Sequence, residues 1–310
     1  MGTGRGTATA RQLPGVNPEM QRKLQRWFRV LRFVGSDMAA RAALRLYQRT
    51  ARRKLDESDV ATLERARVTN IESGNEMLRV LQWGTHGPVV LLVHGWGSHA
   101  PRYANFVEAI LERGWRAIAF DAPGHGMSSG RRIGIAHFRR AIDTVIAAYG
   151  PVDVVIAHSF GALAAASLLA EPAGARVRAA VLVSMPKDAG YILDSFLLAL
   201  DLDEPTAERV RVKFGKREGR LASSISAVEM APKIHCPVLL VHDRNDGIVP
   251  LAHAEEIVQL LPEGKLLLTQ EMGHSALLRD ESTIGAAMGF LDGVLGGGSA
   301  KSALTTPGVP

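Results

Sequence analysis

A single cysteine, Cys236, stands among 310 residues, so no intrachain disulfide can form and a cluster of thiolate metal ligands is excluded. A reducing compartment follows as the expectation. Nowhere does an uncharged apolar run approach the roughly 18 to 20 residues that a bilayer span requires. The opening residues, rich in Gly, Thr and Arg, hold no apolar stretch of signal-peptide length. The expected location is therefore cytoplasmic. No aromatic-studded nucleic-acid motif accompanies the basic residues, no internal repeat is visible, and no histidine spacing such as H-E-x-x-H points to a metal. Neither a nucleic-acid partner, a metal nor another cofactor is expected.

What is present is ample material for a core. Hydrophobic residues make up 46% of the chain, enough for one large α/β domain with insertions or two modest domains. The formal charge of +6 is unevenly spread. Residues 1–54 carry thirteen Lys and Arg against Glu19 and Asp37, or +11, and the remainder carries twenty-four against twenty-nine acidic residues, or −5. A basic segment of this kind can attract an anionic membrane surface or an acidic partner through residues 19–54, and it can equally be a solvated helix face.

Pattern divides the chain further. Residues 1–18 and 296–310, rich in Gly, Thr, Ser and Pro without periodicity, read as a disordered N-terminus and a disordered tail. Residues 19–65 read as a basic helical extension, in which Leu24, Trp27, Leu31, Val34 and Met38 recur at three- and four-residue steps, followed by Ala42 and Leu46. Gly35 interrupts this stripe, which favours packing on the body over a membrane-surface helix.

From residue 66 the grammar becomes strand and helix in alternation. Residues 66–83 predict two antiparallel strands around Ser73, Gly74 and Asn75. Short buried runs follow at 89–93, 116–120, 152–157, 179–184, 238–242 and 265–269, with helical segments at 103–113, 134–149, 160–170, 252–261 and 281–295. The alternation predicts right-handed crossovers and an α/β fold with a mostly parallel, doubly wound sheet, its core at 66–185 and 235–295. Ligands gather at the carboxyl ends of such strands. Residues 186–234 show no convincing strand, and Tyr191, Ile192, Phe196, Leu197 and Leu200 form an apolar stripe there. A helical lid above the strand ends is the expectation.

The run Val154, Val155, Ile156, Ala157, His158, Ser159, Phe160, Gly161, Ala162 is an apolar strand that meets a serine and then small residues opening a helix. This is the setting in which G-x-S-x-G carries meaning, because a sharp strand-to-helix turn lifts the hydroxyl clear and the flanking positions lie close to neighbouring backbone. Ala157 stands where the first glycine of that pattern would be, a mild departure, and Gly161 is retained. Taken alone, the pentapeptide is equally an N-cap serine on an ordinary helix. A serine hydroxyl needs a base, and the base an orienting carboxylate. His274, in Glu271-Met272-Gly273-His274-Ser275, and Asp246, in Asp243-Arg244-Asn245-Asp246-Gly247, both follow predicted strands, in the chain order Ser, Asp, His.

With these residues in view, residues 66–295 resemble an α/β-hydrolase, a serine esterase or lipase-like member with a helical lid. The resemblance extends to His94-Gly95-Trp96-Gly97 and to Asp121-Ala122-Pro123-Gly124-His125-Gly126-Met127-Ser128. It implies Ser159 as nucleophile, His274 as base, Asp246 as orienting acid, and an oxyanion hole formed by the backbone N–H groups of Trp96 and Phe160. The reaction implied is cleavage of a carboxylic ester or thioester with an apolar acyl group, on a pocket lined by Trp96, Tyr191 and Phe196. Acyl transfer or perhydrolysis would use the same residues, and a hydrolase fold that only binds its ligand is the reading from another class.

Several neighbours of these residues invite other assignments. His94 and His125 read as structural hydrogen-bonding groups in glycine-rich loops, and His158 as a packing residue turned away from the serine. Asp243 competes with Asp246 for the orienting role, Asp188 more weakly, and Asp246 is preferred for its spacing to Val249 and Pro250. Ser128 and Ser129 have no base assigned to them.

Overall fold

A computed structural model of the chain describes residue 13 and residues 16–49, 55–131, 134–219 and 221–296. Most of the two ends read as disordered, residues 1–12, 14, 15 and 297–310, lies outside the described residues; Leu13, within one of them, is buried. In chain order the elements are α1 Pro18–Val34, α2 Ser36–Tyr47, α3 Glu57–Glu64, β1 Arg67–Ser73, β2 Glu76–Trp83, β3 Val89–Val93, α4 Ala104–Glu112, β4 Arg116–Phe120, α5 Ile135–Tyr149, β5 Val154–His158, α6 Phe160–Leu169, β6 Ala179–Val183, α7 Ala189–Ala199, α8 Glu204–Glu218, α9 Ala227–Met230, β7 Val238–Asp243, α10 Leu251–Leu260, β8 Gly264–Thr269 and α11 Glu281–Leu295. None of the described helices is long and apolar enough to cross a membrane.

The eight strands form one sheet in the order β1-β2-β4-β3-β5-β6-β7-β8. β1, β2 and β4 pair antiparallel, and every pairing from β4 through β3 to β8 is parallel. The central strands are buried on both faces, which is why they read as unbroken apolar runs instead of alternating ones. Their side chains nevertheless sort by parity. Leu91, Val93, Val155, Ala157 and Leu182 face a core shared with α5 and α6, while Val90, Leu92, Val154, Ile156 and Val181 face one shared with α4 and α11. Helices thus cover both faces, as a doubly wound sheet requires.

The helix pair at the N-terminus corrects one detail of the pattern reading. Asn17 caps α1 through Met20 N, and Gly35 separates α1 from α2. The apolar positions that pack inward on α1 are Phe28, Leu24 and Leu31, joined by the amide side chain of Gln21. Trp27, Val34 and Met38, read as members of the packed stripe, are exposed. The buried arc is fixed by polar anchors: Gln21 accepts from Leu13 N at 2.9 Å, and Gln21 and Gln25 both donate to the carbonyl of Ala199 at 3.1 and 2.8 Å.

Residues 186–234 carry α7, α8 and α9 between β6 and β7, with one isolated bridge, Asp188 to Ser226. α2 packs on α8, and buried side chains of the N-terminal pair and of this insertion belong to the same core as those of α5 and α6.

Candidate active site

The turn from β5 into α6 forces Ser159 into the left-handed region, at φ 53° and ψ −120°. A non-glycine residue holds this conformation only where its surroundings over-determine it. Here Ser159 N donates to Val183 O at 2.8 Å. A Cβ on Gly161 would stand 2.3 Å from His94 O and 2.7 Å from Val93 O, and one on Gly95 would stand 3.2 Å from Ser159 Cβ. The loop after β3 therefore passes directly over the turn, and its closeness sets the two glycines.

Three side chains from separate strand ends meet there. His274 Nε2 lies 3.0 Å from Ser159 Oγ, and His274 Nδ1 lies 2.8 Å from Asp246 Oδ2. The other oxygen of Asp246 accepts from the amides of Ile248 and Val249 at 2.8 and 3.0 Å. The Asp246 side chain is fully buried and that of His274 nearly so. Burial pushes the Asp246 carboxyl up, but the bond and charge of His274 and the two amides outweigh it and hold the group below the usual carboxylate range. Asp246 is thus an ionised carboxylate facing His274 Nδ1, and His274 Nε2 faces Ser159 Oγ.

The competitor aspartates have other work. Asp243, buried at the end of β7, accepts from the amides of Asn245, Met272 and Gly273 at 2.9, 3.1 and 3.0 Å and from Thr269 Oγ1 at 2.7 Å. It fastens the loop that carries His274. Asp188 caps α7 through Tyr191 N.

His158 donates from Nε2 to the carbonyl of His274 at 2.8 Å, its ring 4.8 Å from that of His274. Burial pushes its pKa down to about 3. His94 takes the Ala122 amide at Nε2, 2.9 Å, and donates from Nδ1 to Gly95 O, tying the loop after β3 to the loop after β4. His125 bonds Pro123 O through Nδ1, and Ser128 donates to Asp121 O. Among the described residues no group of three or more His, Cys, Asp and Glu is arranged to hold a metal.

Phe160 opens α6, where the first N–H groups have no partner within the helix, and its ring meets the Trp96 ring edge-on at 5.2 Å. The two residues named for the oxyanion hole are therefore neighbours beside Ser159. Trp96 also packs on Tyr47 at 4.7 Å, and Tyr47 on Phe196 at 5.2 Å and Phe214 at 6.0 Å. Trp96 and Phe196 come together through Tyr47, a residue the sequence reading did not single out. Tyr191 lies outside this ring cluster: its hydroxyl donates to Ile248 O at 2.6 Å and its ring packs on His253. It braces the Asp246 loop.

Comparison with known proteins bears on the family and the fold. The family model described as serine aminopeptidase, S33 matches residues 84–190, and the one described as TAP-like protein matches residues 221–291. Bovine protein phosphatase methylesterase 1 is 35% identical over 108 residues, 32% of this chain and 28% of that protein. The pimeloyl-[acyl-carrier protein] methyl ester esterase of Vibrio vulnificus is 23% identical over 64% of this chain and 93% of its own. The chain spans about a quarter of the length of the first curated relatives it matches, 24% and 28%. Among solved structures, mouse alpha/beta hydrolase domain-containing protein 10 superposes with a TM-score of 0.60 at 18% identity, covering 74% of this chain and 99% of that one. A likeness at that identity speaks for the fold.

Proposed function

The chain belongs to the α/β-hydrolase superfamily, and we propose that it is a serine hydrolase that cleaves a carboxylic ester or thioester with an apolar acyl group. The observation that carries this reading is the chain of contacts from Ser159 Oγ to His274 Nε2 and from His274 Nδ1 to Asp246 Oδ2, at 3.0 and 2.8 Å. Both lie in the range for a nucleophile, a base and its orienting acid.

In this mechanism His274 takes the Ser159 proton as Oγ attacks the acyl carbon. The carbonyl electrons move onto oxygen, which the amides of Trp96 and Phe160 stabilise, each donor contributing about 3 kcal/mol. Collapse expels the alcohol or thiol, protonated by His274, and leaves an acyl-serine. Water, deprotonated by His274, then releases the acid and returns the proton to Ser159. Asp246 holds His274 in the required tautomer throughout and stabilises the imidazolium.

The half-buried rings of Trp96 and Phe196, joined through the buried Tyr47, favour an apolar acyl group. Relatives whose names specify methyl ester cleavage are consistent with an ester. Hydrolysis of a p-nitrophenyl ester series from short to long acyl chains, with Ser159→Ala alongside, tests the reading. Wild type should exceed the mutant by about a thousandfold or more, and a fluorophosphonate probe should label wild type only. Equal background rates with no labelling would overturn it.

A further inference from the structure

Along its outer side α1 points several apolar groups into solvent. Phe33 is 82% exposed, Val34 67% and Val30 66%, while Trp27, Met20 and, at the start of α2, Met38 are about half exposed. Met20, Trp27, Val30 and Val34 follow steps of seven, three and four, so they share a face, about 100° around the helix from the one that buries Gln21 and Phe28. Isolated exposed apolar residues need no explanation, but a contiguous row of them does.

The charges around this row have one sign. α1 carries Arg22, Lys23, Arg26, Arg29 and Arg32 against Glu19, a net +4. The acidic groups of both helices are occupied: Glu19 pairs with Lys23 at 2.8 Å, and Asp37 with Arg41 and Lys213 at 2.7 and 2.5 Å. Arg29 and Arg32 lean inward to Asp201 and Asp203. Arg22 and Arg26 are exposed and have no ion-pair partner among the described residues. The helix is also tied to the body, since Gln21 and Gln25 both donate to the carbonyl of Ala199.

We propose that this face of α1 docks the protein on an anionic lipid bilayer, with Trp27, Val30, Phe33 and Val34 entering the boundary between headgroups and acyl chains and Arg22 and Arg26 meeting lipid phosphates. Arginine stems alternating with aromatic and aliphatic side chains along one outward face is the pattern of an interfacial helix, whose cations reach up to the headgroups while the apolar groups descend. A second copy of this chain fits the surface poorly, because a two-fold contact sets the same cationic helix against itself. The docking also bears on the rest of the molecule. α1 braces the end of α7, whose Phe196 packs on Tyr47 and, through it, on Trp96.

The test is sedimentation of the full chain with vesicles of phosphatidylcholine alone and of phosphatidylcholine with roughly 30% phosphatidylglycerol. Binding to the anionic vesicles should exceed binding to the neutral ones by about tenfold and fall away near about 0.5 M NaCl. Val30→Glu/Phe33→Glu/Val34→Glu changes only exposed positions, so its circular dichroism and melting should match wild type while vesicle binding is lost. Arg22→Ala/Arg26→Ala should weaken binding severalfold and flatten the salt dependence. Equal binding by the triple variant, no preference for anionic vesicles, or no binding by the full chain would overturn the proposal. So would a concentration-dependent dimer that the triple variant converts to monomer.

Discussion

The ring of Tyr47 lies 4.7 Å from that of Trp96, and this contact brings the N-terminal helix pair against the loop that passes over Ser159. Tyr47 is buried and its hydroxyl has no hydrogen-bond partner among the described residues. Burial drives that hydroxyl far above the usual tyrosine range. Removing an unpaired buried hydroxyl relieves a desolvation cost, so Tyr47→Phe should stabilise the fold by about 1 kcal/mol, whereas Tyr47→Ala should cost about 3 to 5 kcal/mol through the cavity it leaves. Urea unfolding measures both. Destabilisation of the Phe variant by more than about 1 kcal/mol would show that the hydroxyl has a partner.

Asp246 and Asp243 lie three residues apart and should separate cleanly on substitution. Asp246→Asn keeps the shape but offers His274 Nδ1 the wrong partner, so kcat for p-nitrophenyl acetate should fall by about 10⁴ while stability changes by less than about 1 kcal/mol. Asp243→Asn loses charge-assisted bonds to Met272, Gly273 and Thr269 and should cost about 2 kcal/mol of stability, with a fall in kcat under about a hundredfold. Urea midpoints and steady-state kinetics on both variants decide it; the reverse pattern would exchange the two roles.

How far these features could be read beforehand depends on the range of the contact involved. The turn at Ser159 was legible because an apolar strand, a serine and small residues are adjacent in sequence. Asp246 and His274 were legible because each follows a strand whose apolar run is unmistakable. The exposed face of α1 is not legible in the sequence, because a helical period shows that apolar arcs exist without showing which one meets the body. Leu24, Phe28 and Leu31 face inward, and Gln21, a polar residue, is buried by its bonds to Leu13 and Ala199. Tyr47 left no local signal at all, since its partners Trp96, Phe196 and Phe214 are distant in the chain. Likewise, the bond from His158 to the carbonyl of His274 joins residues 116 positions apart.

The two small residues of the turn should differ sharply in tolerance. Gly161→Ala would set a Cβ against the carbonyl oxygens of His94 and Val93, backbone atoms that cannot yield without moving β3. A loss above about 3 kcal/mol, or failure to fold, is expected. Ala157 already carries a Cβ in the buried strand β5, so Ala157→Gly should cost only about 1 kcal/mol and leave fluorophosphonate labelling of Ser159 intact. Thermal melting of the two variants makes the comparison, and a Gly161→Ala variant as stable as wild type would show that the loop after β3 does not press on the turn.

Two buried histidines give the stability of this protein a pH dependence of definite sign. Burial lowers the pKa of His94 to about 4 and of His158 to about 3, whereas both would take a proton near pH 6.5 in the unfolded chain. Their neutral forms therefore favour the fold fully above about pH 6.5, and that contribution drains away as pH falls towards the folded values. Each histidine adds at most about 1.4 kcal/mol per pH unit, so the slope between roughly pH 6 and pH 4 should approach about 2 to 3 kcal/mol per unit. Asp243 and Asp246, both held below the usual carboxylate range despite burial, add loss of the same sign only at lower pH. Urea unfolding at intervals from pH 7 to 4.5 reads the slope, and His158→Gln should remove about one proton from it. A slope unchanged in that variant would mean that His158 takes up its proton within the fold, and its bond to the His274 carbonyl would then persist in the charged form.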